Sequence, residues 1–329
     1  MKARLFWIDI VKVIAIMMVV LAHLIWVTNE AVGQSDAYFA FLTINNIVAT
    51  LGVPMFVMVS GYLLFIKTFE TRMKVLNFYK HNLMPLLITA ELWIVVYCII
   101  KLPTFSVKEL LLNMALVHKP EVHLWYVRFI VMYYLLTPFI CMLKDKSRMW
   151  FILVLVVTVA FTFGYNTWLI ATGDLCPTNS NRSYFCYFAY MAAGYWLGCV
   201  NVSSKNLCFA ITLVVVGGGI LCFTLLKTNY FLWYDNPLLA LLALGIFYLI
   251  RTMCAKLKTR QWIVDISKMS YGIYLSHFLL MYVGIWIMKY LGYSVIIFYG
   301  IGAAVLIIDV AVIAVVKRLP KLSRLIYRY

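Results

Sequence analysis

Acidic side chains are scarce in this sequence: twelve aspartates and glutamates stand among 329 residues, and charged residues of all kinds make up 12%. An ordinary soluble chain carries about 25%, so a water-soluble globular domain is excluded. Catalytic signatures are also missing. There is no HExxH, no CxxC pair, no Walker loop and no GxSxG, and His81, His118 and His123 do not fall at metal-ligand spacing. A metal site, an ATPase and a serine hydrolase of familiar type therefore lack their sequence signal. No internal repeat is evident, which counts against a transporter built from inverted repeats. The cysteines lie mostly within apolar runs, where they act as small hydrophobes; only Cys176 and Cys186 are placed to meet in an outside segment, and their spacing alone does not specify a disulfide.

What the chain has is hydrophobic length. Its 65% hydrophobic content comes in repeated runs of about 18–24 residues, the span of a hydrocarbon core. The expected fold is all-α, a polytopic transmembrane helical bundle forming a single membrane domain over 1–329. Ten spans are predicted: about 6–27, 44–66, 82–100, 124–143, 149–166, 184–201, 206–226, 237–252, 269–288 and 294–316. Twenty of the 28 lysines and arginines fall in connections on the side of the amino terminus and six on the other, with Lys12 and Arg128 inside helices. That asymmetry predicts cytoplasmic termini, and it makes the net charge of +16 a matter of topology, with no nucleic-acid partner. The first apolar run does not read as a cleavable signal peptide, because Asp9 and Lys12 interrupt it and no small-residue cleavage site follows. The connections are short, so chemistry is expected within the bundle or at its mouths.

That first run carries three ionisable side chains, Asp9, Lys12 and His23. Each costs about 2.5–3.5 kcal/mol at the centre of a spanning helix, which makes intramembrane charges candidates for function. At 100° per residue Lys12 and His23 lie about 20° apart around the axis and Asp9 and His23 about 40°, so all three share a face. Lys12 and His23 are separated by roughly 16 Å along it.

Other groups are less sharply marked. In VPMFVMVSGYLLF, residues 53–65, Pro54 removes a backbone donor, and Ser60-Gly61 offers a small surface to another backbone or a ligand. The basic, aromatic KTFETRMKVLNFYKH that follows suits anionic lipid headgroups or the phosphates of a nucleotide-containing donor. In EVHLWYVRFI, residues 121–130, His123 and Trp125 are expected at the interface. Arg128, about one turn deeper, either snorkels outward or lines a polar cavity that binds an anionic or hydroxylated substrate. In ISKMSYGIYLSHFLL, residues 266–280, Tyr274 and His277 share a helix face near mid-membrane.

Four of these motifs together, WIDIVKVIAIMMVVLAH, VPMFVMVSGYLL, HLWYV and ISKMSYGIYLSH, resemble in order and spacing the acyltransferase-3 family of bacterial membrane acyltransferases. The family opens with a basic residue, ten residues, then histidine, here Lys12 to His23, preceded by an aspartate, here Asp9. It usually has arginine where this chain has Lys12, and lysine loses bidentate phosphate recognition. The resemblance implies transfer of an acyl group, most often acetyl from acetyl-CoA as donor substrate, to a hydroxyl of a surface or lipid-linked glycan. It also implies a multi-pass protein of the bacterial inner membrane, with membrane lipids as neighbours and no permanently bound cofactor or metal. His23 is then the expected general base or transient acyl carrier, Lys12 the group meeting the donor's phosphates or carbonyl, and Asp9 the group holding Lys12. Ser60, His123, Trp125, Arg128, Tyr274 and His277 are the substrate-binding candidates. Two competitors stay open: a transporter or flippase of a lipid-linked glycan or other anionic substrate, and a different membrane acyltransferase whose essential histidine is His277 or His123.

Overall fold

The computed structural model describes residues 5–29, 36–101, 106–172, 183–201, 203–228, 232–292 and 294–327. Lys2, Arg4, Arg182 and Arg328, which contribute to the basic asymmetry, and Cys176 lie outside them. Every regular element among the described residues is helical. In chain order these are α1 (Phe6–Asn29), α2 (Asp36–Thr50), α3 (Gly52–Phe65), α4 (Arg72–Ile100), α5 (Val107–Met114), α6 (Val122–Lys146) and α7 (Arg148–Leu169). There follow α8 (Ser183–Cys199), α9 (Ser204–Lys227), α10 (Pro237–Cys254), α11 (Gln261–Leu291), α12 (Val295–Val316) and α13 (Pro320–Ile326). Starts are written in the connections: Thr71, Ser106, Ser147, Ser203, Asn236 and Ser294 each accept a hydrogen bond from a backbone N–H in the first turn of the helix that follows, satisfying donors the helix itself leaves open.

Nine stretches among the described residues are long and apolar enough to cross a membrane, one fewer than the ten predicted. The difference is α8, which has 17 residues. It nevertheless runs back along α7: Phe161 packs on Phe185 at 6.1 Å between ring centres, and Phe151 on Trp196 at 5.9 Å. α8 therefore returns the chain to the side from which α7 departed. The second predicted span is also not one rod. α2 and α3 meet at Leu51, because Pro54 has no N–H for the Thr50 carbonyl and its ring crowds that position.

The chain packs as two compact units, Met1–Lys67 with Leu143–Ser267, and Thr68–Met142 with Lys268–Tyr329. In the first, Trp7 is wedged between Tyr62 of α3 (5.4 Å) and Phe247 of α10 (5.6 Å), which fixes the rotation of α1. Lys144 donates to the Phe65 carbonyl at 2.7 Å, so the α3 end and the start of the α6–α7 connection lie together, as the charge count requires of two connections on one side.

In the second unit polar side chains close the gaps in the helical ladders. Thr89 and Trp93 of α4 donate to the carbonyls of Leu325 and Ile326 at 2.9 and 2.8 Å, groups that the end of α13 leaves without an internal partner. A π-helical segment, Tyr79–Leu83, precedes Pro85 in α4, and Tyr79 donates to the Leu135 carbonyl one turn before Pro138 in α6. Proline in a spanning helix is tolerated where π-helical adjustment and neighbouring side chains accommodate the interrupted ladder. In the basic segment before α4, Lys74 pairs with Glu70 at 2.6 Å on an exposed surface and holds that carboxyl below its usual range.

Candidate active site

The three ionisable residues of α1 sit on one uninterrupted helix, so the shared face and the roughly 16 Å between Lys12 and His23 follow directly. Asp9 is buried at 3% exposure and accepts a hydrogen bond from the Ser267 hydroxyl at 2.7 Å. Lys12 and His23 are half-buried. A carbonyl only accepts, so the contact of His23 Nδ1 with the Val19 carbonyl at 2.9 Å places the proton of the neutral ring on Nδ1. The basic lone pair then belongs to Nε2. The Val19 turn is itself held by close helix packing: a β-carbon on Gly52 of α3 would meet Ala15 O and Met18 Cβ at 2.9 Å.

Ser60 is half-buried in α3. Its neighbour Gly61 takes the first of the two roles open to it, approach of another backbone. A β-carbon there would overlap the backbone of Met191 in α8, and one on Gly194 would overlap the backbone of Met58.

The remaining candidates belong to the second unit. His123, expected at the interface beside Trp125, is instead fully enclosed, at 0% exposure. It opens α6 in a 3-10 turn, Val122–Leu124, and its ring stacks on Phe278 at 4.8 Å. Tyr97 lies at 5.2 Å and His277 at 5.1 Å. Tyr274 donates to the His123 carbonyl, and Tyr97 to the Leu275 carbonyl at 2.7 Å. His277, also at 0% exposure, bonds the Ile273 carbonyl through Nδ1 at 3.0 Å. The structure thus joins His123, Tyr274 and His277 into one buried aromatic and imidazole cluster. Trp125 is half-buried and stacks edge-on against Tyr126. Arg128 lines a cavity and donates to the Val117 carbonyl, in the connection that precedes α6, at 2.6 Å.

Several partners escaped the sequence reading. Ser267 gave no signal of its own, since a serine in an apolar helix is common. Asp309 in α12 did give one: it is an acidic residue in an apolar run, 2% exposed, bonded to Ser276 at 2.6 Å. The rule that singled out Asp9 applies equally to it and to Glu91 in α4.

A family model described as an acyltransferase domain, acyltransferase 3, matches residues 5–315. No curated protein and no solved structure matches the chain. The matched stretch takes in both units, the ionisable face of α1 and the cluster around His123. This chain belongs to the acyltransferase-3 family, and it is a multi-pass membrane acyltransferase.

Proposed function

We propose that the protein is an O-acetyltransferase of the bacterial cytoplasmic membrane, moving acetyl from cytoplasmic acetyl-CoA to a hydroxyl of a cell-surface or lipid-linked polysaccharide. The observation that carries this reading is the state of His23. With Nδ1 donating to Val19, the basic lone pair is on Nε2, and a positioned imidazole suits the activation of a poorly nucleophilic sugar hydroxyl.

In the step this supports, the acceptor oxygen bonds to the acyl carbon as its proton passes to Nε2 of His23. The carbon–sulfur bond of the thioester breaks, and the departing thiolate recovers that proton from the imidazolium. Lys12 supplies positive charge toward the donor's phosphates or its carbonyl, and Asp9 holds Lys12 charged and oriented. The long, flexible arm of coenzyme A carries the thioester across the interval between Lys12 and His23, so the whole donor need not cross the membrane. With the amino terminus cytoplasmic, Lys12 is near the donor side and His23 near the acceptor side.

The test is transfer of label from radiolabelled acetyl-CoA in membranes, paired with mass spectrometry of the host's surface polysaccharides. His23→Ala, at normal protein level, is expected to lower transfer by about 10²–10⁴-fold and to remove one acetyl mass from the glycan. Wild-type acetylation in that variant would overturn the assignment.

A further inference from the structure

The connection between α4 and α6 builds a cavity of about 470 Å³ lined by Cys98, Lys101, Glu109, Asn113, Val117, His118, Lys119, Pro120 and Arg128. That volume lies within the roughly 300–1,000 Å³ of small-molecule sites. Three permanent cations, Lys101, Lys119 and Arg128, face it against one carboxylate, Glu109. Partial burial, then the like charge of Arg128, pull Lys119 below its ordinary value. Glu109 is turned toward His118 at 3.0 Å. Glu121, which neighbours Lys101 at 3.0 Å, also accepts from Tyr282 at 2.6 Å.

The cavity wall is built by an unusual turn. α5 ends at Met114, and Leu116 then adopts a left-handed φ of 56°, a conformation that costs a non-glycine residue about 1–2 kcal/mol. The turn is closed by Val117 and His118 N–H groups donating to the Leu112 carbonyl at 2.9 and 3.1 Å. It presents the Val117 carbonyl to Arg128 at 2.6 Å. One guanidinium N–H is used there, and the fork of remaining donors is oriented.

A second, independent group sits in the wall. Asn113 is 4% exposed; its amide N–H meets Cys98 Sγ at 3.8 Å, and its carbonyl oxygen has no hydrogen-bond partner among the described residues. A buried acceptor left open costs about 1–3 kcal/mol until a donor arrives. A bare anion has no donor to give, whereas a sugar hydroxyl has.

We infer that this cavity binds an anionic saccharide, its carboxylate or phosphate held by Arg128 and Lys119 and a ring hydroxyl donating to Asn113. The acceptor glycan of the proposed reaction is then an acidic one. That last statement rests on the acetyltransferase reading; the binding itself does not.

The full-length protein, in nanodiscs of phosphatidylcholine, is titrated calorimetrically with tri-galacturonic acid, with its methyl ester and with maltotriose. Binding of the acid alone, weakening with salt, is expected. Lys119→Gln makes the cleanest variant, because Lys119 has no ion-pair partner among the described residues and does not hold the turn. It and Arg128→Gln are each expected to weaken binding on the order of tenfold to a hundredfold, the worth of one charge-assisted hydrogen bond. Asn113→Ala is expected to weaken the trisaccharide acid while leaving the salt dependence in place.

Equal binding of the acid and its ester, or no binding of the acid, overturns the inference. So does loss of acid binding when phosphatidylglycerol replaces part of the lipid with no saccharide preference left, which assigns the cavity to a lipid headgroup. Acetyl transfer by a protein that fails to bind the acid refutes the cavity alone; acid binding by a protein that transfers no acetyl refutes the acetyltransferase reading alone.

Discussion

The Ser267 hydroxyl donates to the Asp9 carboxylate at 2.7 Å, a buried bond joining residues 258 positions apart. It ties the start of α1 to the first turns of α11, at the point where α11 leaves the first compact unit. A carboxylate inside a spanning helix demands such donors, because hydrocarbon offers none. Ser267→Ala should lose about 1.5–3 kcal/mol, the net worth of a hydrogen bond to a charged group. Thermal unfolding in detergent measures it, with Ser267→Thr restoring the wild-type midpoint. Unchanged midpoints for Ser267→Ala would show that the bond does not hold α1.

The histidines can be ranked by separating fold from chemistry. His23→Ala should unfold at the wild-type temperature and lose about 10²–10⁴ in transfer. His277→Gln keeps a side-chain N–H for the Ile273 carbonyl, which His277 now meets at 3.0 Å, and should stay within about tenfold of wild type. The proton that a general base removes has no route to a side chain at 0% exposure without an opening of the cluster. A reversed ranking in the radiolabel assay would move the essential base to α11.

Asp309 makes a prediction against intuition. A serine hydroxyl has one proton, yet Ser276 faces two acceptors, Gly272 O at 3.0 Å and Asp309 Oδ1 at 2.6 Å. Both contacts are hydrogen bonds at once only when position 309 donates, and the amide of Asp309→Asn does so permanently. That variant should unfold no lower than wild type. Asp309→Leu should also unfold no lower, because Ser276 keeps Gly272 and no buried polar group is stranded, the condition under which replacing a buried ionic group is neutral or stabilising. A midpoint several degrees lower for Asp309→Leu would mean that the carboxyl takes a further bond that the fold requires.

Hydrophobic length was legible in the chain because lipid imposes it residue by residue. The interruption at Leu51 was partly legible through Pro54, whose missing N–H acts within one turn. The short α8 was overestimated because hydropathy alone does not mark where a helix ends. What could not be read was pairing between distant segments. Nothing in SKMSY singles out Ser267 for Asp9, and nothing in HLWYV says that His123 turns inward onto Phe278 while Trp125, two residues on, stays half-buried. Arg128 was ambiguous for a related reason: its course depends on the Leu116 turn, a strained conformation with no glycine to announce it.

Gly61 and Gly194 test how the first unit is held together. Each β-carbon added would strike the other helix three residues before its glycine, at Met191 and at Met58, a near-symmetric crossing expected of two helices running in the same direction. Water drives apolar surfaces together, but lipid does not, so helices in a membrane associate through close backbone approach at small residues. Gly61→Ala or Gly194→Ala forces α3 and α8 apart and should cost about 1–3 kcal/mol by overpacking. Because α3 also braces α1 through Gly52 against Ala15 and through Tyr62 against Trp7, the displacement should reach the His23 face and lower acetyl transfer as well. Gly219→Ala is the control, since its added carbon meets nothing within 4 Å, and it should match wild type in both unfolding temperature and rate. Loss of activity in Gly219→Ala equal to that in Gly61→Ala would place the effect elsewhere than at the α3–α8 crossing.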